Sequence, residues 1–150
     1  MTWPWNSLAA AAAFLATPVA SWWWVGDLSA PVANPDYAFR PPDVADSTVV
    51  VSGAIATVIL FAALGAMVVG VVRQRITPLW LGVVVPLVLI GLIVGFGGRT
   101  MTAGVVGANI GAGLVVFFGG PAAMILMIGA VISAVTISQG RMRAQGQRAR

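Results

Sequence analysis

The chain contains no cysteine and no histidine, and its 150 residues also include no lysine and no glutamate. Each absence removes a class of chemistry. Without thiols there is no disulfide, no thiolate nucleophile and no sulfur-based metal site, and without histidine the commonest general base and metal ligand is missing. The absence of lysine removes the Schiff-base amine. No P-loop, dinucleotide fingerprint or zinc-helix motif is present either. Four aspartates and scattered hydroxyls are all that remain. The expectation is therefore a protein that is not an enzyme, with no catalytic residues, no cofactor and no metal.

Charge is the next scarcity. Asp, Glu, Lys and Arg make up 8% of the chain, against roughly 25% in soluble domains. The hydrophobic share is 59%, and a soluble fold of this size leaves too much of its chain exposed to hide that much apolar surface. The bilayer is the solvent this composition requires. The net charge of +4 belongs to membrane-surface segments, so nucleic acid is excluded as an expected partner.

The few charges that exist are sorted by position. All four acids, Asp27, Asp36, Asp43 and Asp46, fall in one loop, whereas Arg73 and Arg75 share a short RQRITP turn and Arg141, Arg143, Arg148 and Arg150 fill the tail. Between these clusters lie apolar runs long enough to cross roughly 30 Å of hydrocarbon as helix. The expected spans are 5–25, 48–72, 79–97 and 114–138. They define an all-α membrane protein, a four-transmembrane-helix bundle with an extracytoplasmic loop, 26–47, between helices 1 and 2. Residues 1–140 form a single transmembrane domain and 141–150 a basic cytoplasmic tail.

Orientation follows from the arginines. The positive-inside rule puts the RQRITP turn and the tail in the cytoplasm, which four crossings satisfy with both termini cytoplasmic in the plasma membrane. The 26–47 loop, net −3 from four aspartates and Arg40, and the Arg99 region are then outside. Trp3 and Trp5 at one end of the first span, Trp22, Trp23 and Trp24 at the other, and Trp80 at the start of the third read as an aromatic belt. No basic residue precedes Arg40, so the first span reads as a retained helix rather than a cleaved secretory signal.

Residues 101–139 form one weakly polar stretch too long for a single untilted crossing. Gly119-Gly120-Pro121 is expected to divide it, with Pro121 opening a helix that Gly140 ends. Residues 101–113 are then an outer helical extension or a re-entrant piece, the latter needing protein around its backbone.

Lipid gives helices no hydrophobic reason to associate, so small side chains that allow close backbone contact carry much of the packing. Ala9, Ala13, Ala16 and Ala20 share a face of the first span, and Ser52, Ala56, Ala63 and Gly70 share one in the second. Gly91 and Gly95 make a GxxxG pair in the third, Gly107 and Gly111 repeat that spacing, and Gly119, Ala123, Ala130 and Ala134 line up in the fourth. Packing within one bundle is expected ahead of a dimer seam. Pro18, Pro86 and Pro121 lie inside apolar segments, where proline bends a helix.

The loop GDLSAPVANPDYAFRPPDVADS holds the densest set of polar groups. Its aspartates lack the spacing of a calcium loop, and an exposed Asp36–Arg40 pair is worth only about 0–1 kcal/mol. Prolines 31, 35, 41 and 42 stiffen it, which makes Asp36, Tyr37, Phe39 and Arg40 the candidate partner-contact residues. The spans themselves carry no charge, so a carboxylate or histidine proton relay is not available. The expected function is that of a non-catalytic accessory or interaction subunit of a membrane assembly. Its partners are the lipid bilayer and a membrane protein or a second copy. The alternative is an oligomeric channel or permease-like unit using the Gly-rich 101–121 region, with Asn109 inside it.

Overall fold

The computed structural model describes residues 3–32 and 34–148. Among them every regular element is helical, as a bilayer demands of a chain whose backbone groups must be satisfied within the segment. The elements are α1 (Trp3–Val25), α2 (Asp46–Val72), a 3₁₀ turn (Pro78–Trp80), α3 (Leu81–Met101), α4 (Ala108–Leu114), a π-helical turn (Val115–Gly119) and α5 (Gly120–Arg148). Four helical stretches are long and apolar enough to span a membrane: Trp5–Val25, Asp46–Val72, Pro78–Met101 and Ala108–Gly140. The protein is a multi-pass, four-helix membrane bundle. Its two ends are named below by what they carry, the loop end (residues 26–45) and the turn end (residues 73–77).

The arrangement is a row, with α1 packed against both α2 and α3, and α5 joined to the bundle through α3. The alanine faces explain why α1 sits inside. Ala13 and Ala20 are completely buried and Ala16 nearly so, and they meet Ala56, Leu60 and Ala63 of α2. Against α3, the contacts are made by Thr17, Pro18 and Ser21. A Cβ on Gly91 would stand 2.6 Å from that of Thr17, and one on Gly95 would overlap Ser21 and the Pro18 carbonyl. The fully buried Thr17 hydroxyl donates to its own helix at the Ala13 carbonyl, 2.6 Å away, which is how a hydroxyl is accommodated in an apolar interior.

At the turn end the chain reverses within five residues. Gln74 takes a left-handed φ of 54°, and the amides of Arg75 and Ile76 both donate to the Gly70 carbonyl, at 2.9 and 3.1 Å. Ile76 then folds over Gly70, where any Cβ would collide with it. Beneath this reversal Ala10, Met67, Trp80, Val83, Val84 and Ile137 form one core that ties together every spanning segment. Trp80 is 6% exposed there. It is a core residue, and the belt role assigned to it from sequence is corrected: the 3₁₀ turn rotates the indole inward. The side chains of Trp3, Arg141, Arg143 and Arg148, and the whole of Arg150, to which belt and anchoring roles were assigned, lie outside the described residues.

Two further expectations change. The third helix continues past residue 97 to Met101 with Arg99 in its last turn. The fourth segment is not divided at Gly119-Gly120-Pro121; α4, the π-helical turn and α5 run on without a break. Proline lacks an amide to donate, and the wider π turn just before it absorbs that gap without breaking the helix. Of the 101–113 stretch, Met101 ends α3, residues 102–107 are not helical and 108–113 begin this continuous helix. Gly140 does not end α5, because one glycine costs only about 1 kcal/mol and the Arg, Met, Ala and Gln that follow favour helix. The composite helix, of 7, 5 and 29 residues, is about 60 Å long at 1.5 Å per residue.

Candidate functional site

A dense set of polar contacts lies at the loop end, where the 26–45 segment folds down onto the connection between α3 and α4. α1 stops at Gly26, whose φ of 70° is a left-handed end that glycine adopts without strain. The segment is then pinned at successive points. The Ala30 amide donates to the Gly104 carbonyl at 3.1 Å, the Phe39 amide to the Met101 carbonyl at 3.0 Å and the Val105 amide to the Asp36 carbonyl at 3.3 Å. Side chains add to this, with the Gly104 amide donating to Ser29 Oγ at 3.0 Å and Asn109 Nδ2 to Asp36 Oδ2 at 3.2 Å. Tyr37 lies flat on Gly104, so close that a Cβ there would stand 2.7 Å from its ring.

Arg99 closes the cap from below. Its Nε donates to the Gly26 carbonyl, and its guanidinium lies 5.2 Å from the centre of the Trp22 ring, an aromatic face that attracts a cation. Gly98 makes room for this stack, since a Cβ there would approach Trp22 to 2.7 Å. Asp27 completes the corner. Its carboxylate accepts the Ser29 amide at 3.0 Å, and that bond, with the Ser29 hydroxyl and the nearby Arg99 charge, holds its pKa below the ordinary 3.8 against a small opposing effect of burial. A group with a depressed pKa stabilises fully above its unfolded value and loses that contribution as pH falls through the folded one. Acidification below 3.8 is thus expected to loosen the Asp27–Ser29 turn first, seen as faster hydrogen exchange at Ser29 while the helix amides stay protected.

Of the residues chosen from sequence, Asp36, Tyr37, Phe39 and Arg40 do fall together in this cap, but with different roles. Tyr37 is half-buried against Gly104, and Asp36, though exposed, accepts from Asn109. Phe39 is 61% exposed and Arg40 is exposed beside it. The Asp36 carboxylate pairs with Asn109, and the Asp36–Arg40 pairing considered from sequence is not seen. Ala56, Ala63 and Gly70 lie on the buried face of α2, and Gly91 and Gly95 on the buried face of α3. Gly119 and Ala123 are half-buried, with Gly119 against Ile93.

Two apolar cavities flank α3 just beneath the cap. One, of about 410 Å³, opens between α1, the start of α2 and α3, with Trp22 and Trp23 on its floor; the other, of about 420 Å³, lies between α3 and the π-helical turn. Sequence reasoning missed both cavities and Arg99. The available signal was a lone arginine following Gly97-Gly98 at the end of an otherwise uncharged run. Among the described residues no cluster of acidic side chains is arranged to hold a metal ion. No protein-family model matches the chain, and no curated protein or solved structure does so either. The class of protein stated by fold and composition, a four-helix membrane bundle with an ordered cap, therefore stands on the molecule's own features.

Proposed function

We propose that this protein is a non-catalytic accessory subunit of a membrane assembly. In this reading it lies in the plasma membrane with both termini in the cytoplasm, and the loop-end cap is the surface that recognises the partner. The observation that carries it is the cap itself: a proline-rich segment held by backbone bonds to residues more than 60 positions away, with Phe39 and Arg40 left outward. A surface ordered in advance loses little entropy on binding, and aromatic and arginine side chains are those that most often dominate an interface.

The channel alternative finds less support. α1 fills the middle of the row, and Thr17, the one completely buried hydroxyl named there, is bonded within its own helix. Three of the six glycines of 101–121 are packed against neighbours, Gly104 under Tyr37, Gly111 against Thr100 and Gly119 against Ile93, while Gly113 and Gly120 face open space. Asn109 is engaged with Asp36.

The chain's lack of cysteine makes the test clean. A Phe39→Cys variant is expected to react with a membrane-impermeant maleimide on intact cells. A Phe39→Asp variant is expected to recover about tenfold less of a stoichiometric partner from native membranes, the usual scale of a lost interface anchor. Ion or solute flux through liposomes holding the purified protein, abolished by Asn109→Trp, would favour the channel and remove the accessory reading.

A further inference from the structure

The cavity between α1, the start of α2 and α3 has a positive charge close to its lining. Gly98 lines its wall, Arg99 follows in the last turn of α3, and the guanidinium rests on Trp22, itself part of the lining. The Arg99 Nε is engaged with Gly26, while its two terminal nitrogens meet no acceptor among the described residues. Across the cavity the lining residue Val44 directly follows Asp43, and Asp46 lies in the chain between Val44 and the lining residue Val49; both aspartates are exposed. A cation thus rests on one lining residue, and the chain on the opposite side carries two exposed aspartates next to or between lining residues, over an apolar interior.

We propose that this cavity is a phospholipid site selective for a zwitterionic headgroup. The part of one acyl chain nearest the glycerol lies between Val94 and Val49 on the Trp22 and Trp23 indoles. The phosphate sits on the free edge of the Arg99 guanidinium, and the headgroup ammonium turns toward Asp43 and Asp46. Indole rings are at home at this depth of a bilayer, and an arginine fork matches phosphate geometry.

Size separates this occupant from a partner helix. One helical turn, 5.4 Å long and about 10 Å across, fills about 420 Å³, so the cavity of about 410 Å³ would take a single turn of a helix that must continue across the membrane. An acyl chain is far narrower and enters end-on from the surrounding lipid. Charge separates it from an anionic lipid. Asp27 already attracts Arg99, and with Asp43 and Asp46 it biases the rim against a second net negative charge. The site does not depend on which leaflet the loop end faces, nor on the accessory reading.

The full-length protein, purified in mild detergent and stripped of lipid, can be offered equal amounts of phosphatidylethanolamine, phosphatidylcholine and phosphatidylglycerol, with bound lipid counted by native mass spectrometry. Phosphatidylethanolamine is expected to be retained about tenfold over phosphatidylglycerol, the scale of one hydrogen bond between charged groups. Arg99→Gln should lower that retention about tenfold. Val94→Trp, a change at a 54% exposed position that fills the cavity without entering the α1–α3 contact, should displace all three lipids and so keeps the test independent of any folding defect caused by losing Arg99. Equal retention of the three lipids, preference for phosphatidylglycerol, or undiminished binding by both variants overturns the proposal. So does a photo-crosslinker at position 94 that captures a polypeptide from native membranes rather than lipid.

Discussion

Replacing Gly95 with leucine is expected to force α1 and α3 apart and to destabilise the protein by about 3 kcal/mol or more, the upper range for overpacking a close contact. The reason is local and rigid. A Cβ on Gly95 would overlap Ser21 and, more seriously, the backbone carbonyl of Pro18, and a carbonyl in a helix cannot step aside as a side-chain tip can. Gly65 is the control, because nothing lies within 4 Å of the Cβ an alanine would add there. Gly65→Ala should be neutral or stabilising by up to about 1 kcal/mol through helix propensity. Unfolding in mixed detergent micelles, followed by tryptophan fluorescence, measures both; equal losses at the two glycines would mean that the α1–α3 approach is not what holds the row together.

Trp80→Ala is expected to have a comparable effect, about 3–5 kcal/mol for a buried indole. Trp80 is 6% exposed, in a core that includes Met67 at 1% and Val84 at 2%, and its removal opens a void beneath the chain reversal that tethers α2 to α3. Lipid cannot readily refill a void closed by protein on all sides, so the dispersion contacts are lost outright. Trp5→Ala, at a 58% exposed indole, exchanges protein for lipid at a surface and should stay within about 0.5 kcal/mol. The same fluorescence-monitored unfolding separates them, and a Trp80→Ala protein as stable as the parent would remove the turn-end core from the account.

These two residues show where the sequence could be read and where it could not. Hydropathy located the crossings because a membrane imposes one length and one polarity on each, and the Val25 and Val72 ends agree with the structure. The third span reads as 79–97, and its helix runs four residues further, to Met101. The helix continues because Arg99 finds an indole and a carbonyl on a segment 73 positions away, a partnership that no local pattern records. Trp80 was misplaced for the opposite reason. A tryptophan at the end of an apolar run usually faces the membrane surface, and only the 3₁₀ turn sets its direction. The Gly-Gly-Pro signal marked an irregularity at the right place and mistook its kind, since a π-helical turn and a helix break begin from the same missing amide.

The cap was legible as composition but not as structure. Prolines, aspartates and two aromatics showed where recognition chemistry is concentrated. Which of them face outward depended on Gly104 and Asn109, both in a stretch that reads as featureless. Small residues at helical spacing were more informative, because bare backbone between helices has few other uses in lipid.

The central place of α1 has a consequence for how the protein is made. α1 precedes both helices it packs against, α2 and α3, so it must wait in lipid for two others. Thr17 can wait, since its hydroxyl is satisfied by its own helix from the start. Ser21 is different: its hydroxyl points to the Leu92 carbonyl, 3.4 Å away on α3, a contact that exists only once the third crossing has been threaded. Assembly during synthesis is therefore completed around α1 by the helices that follow it, and a ribosome halted before residue 92 would leave α1 greasy, inserted and still without its polar latch.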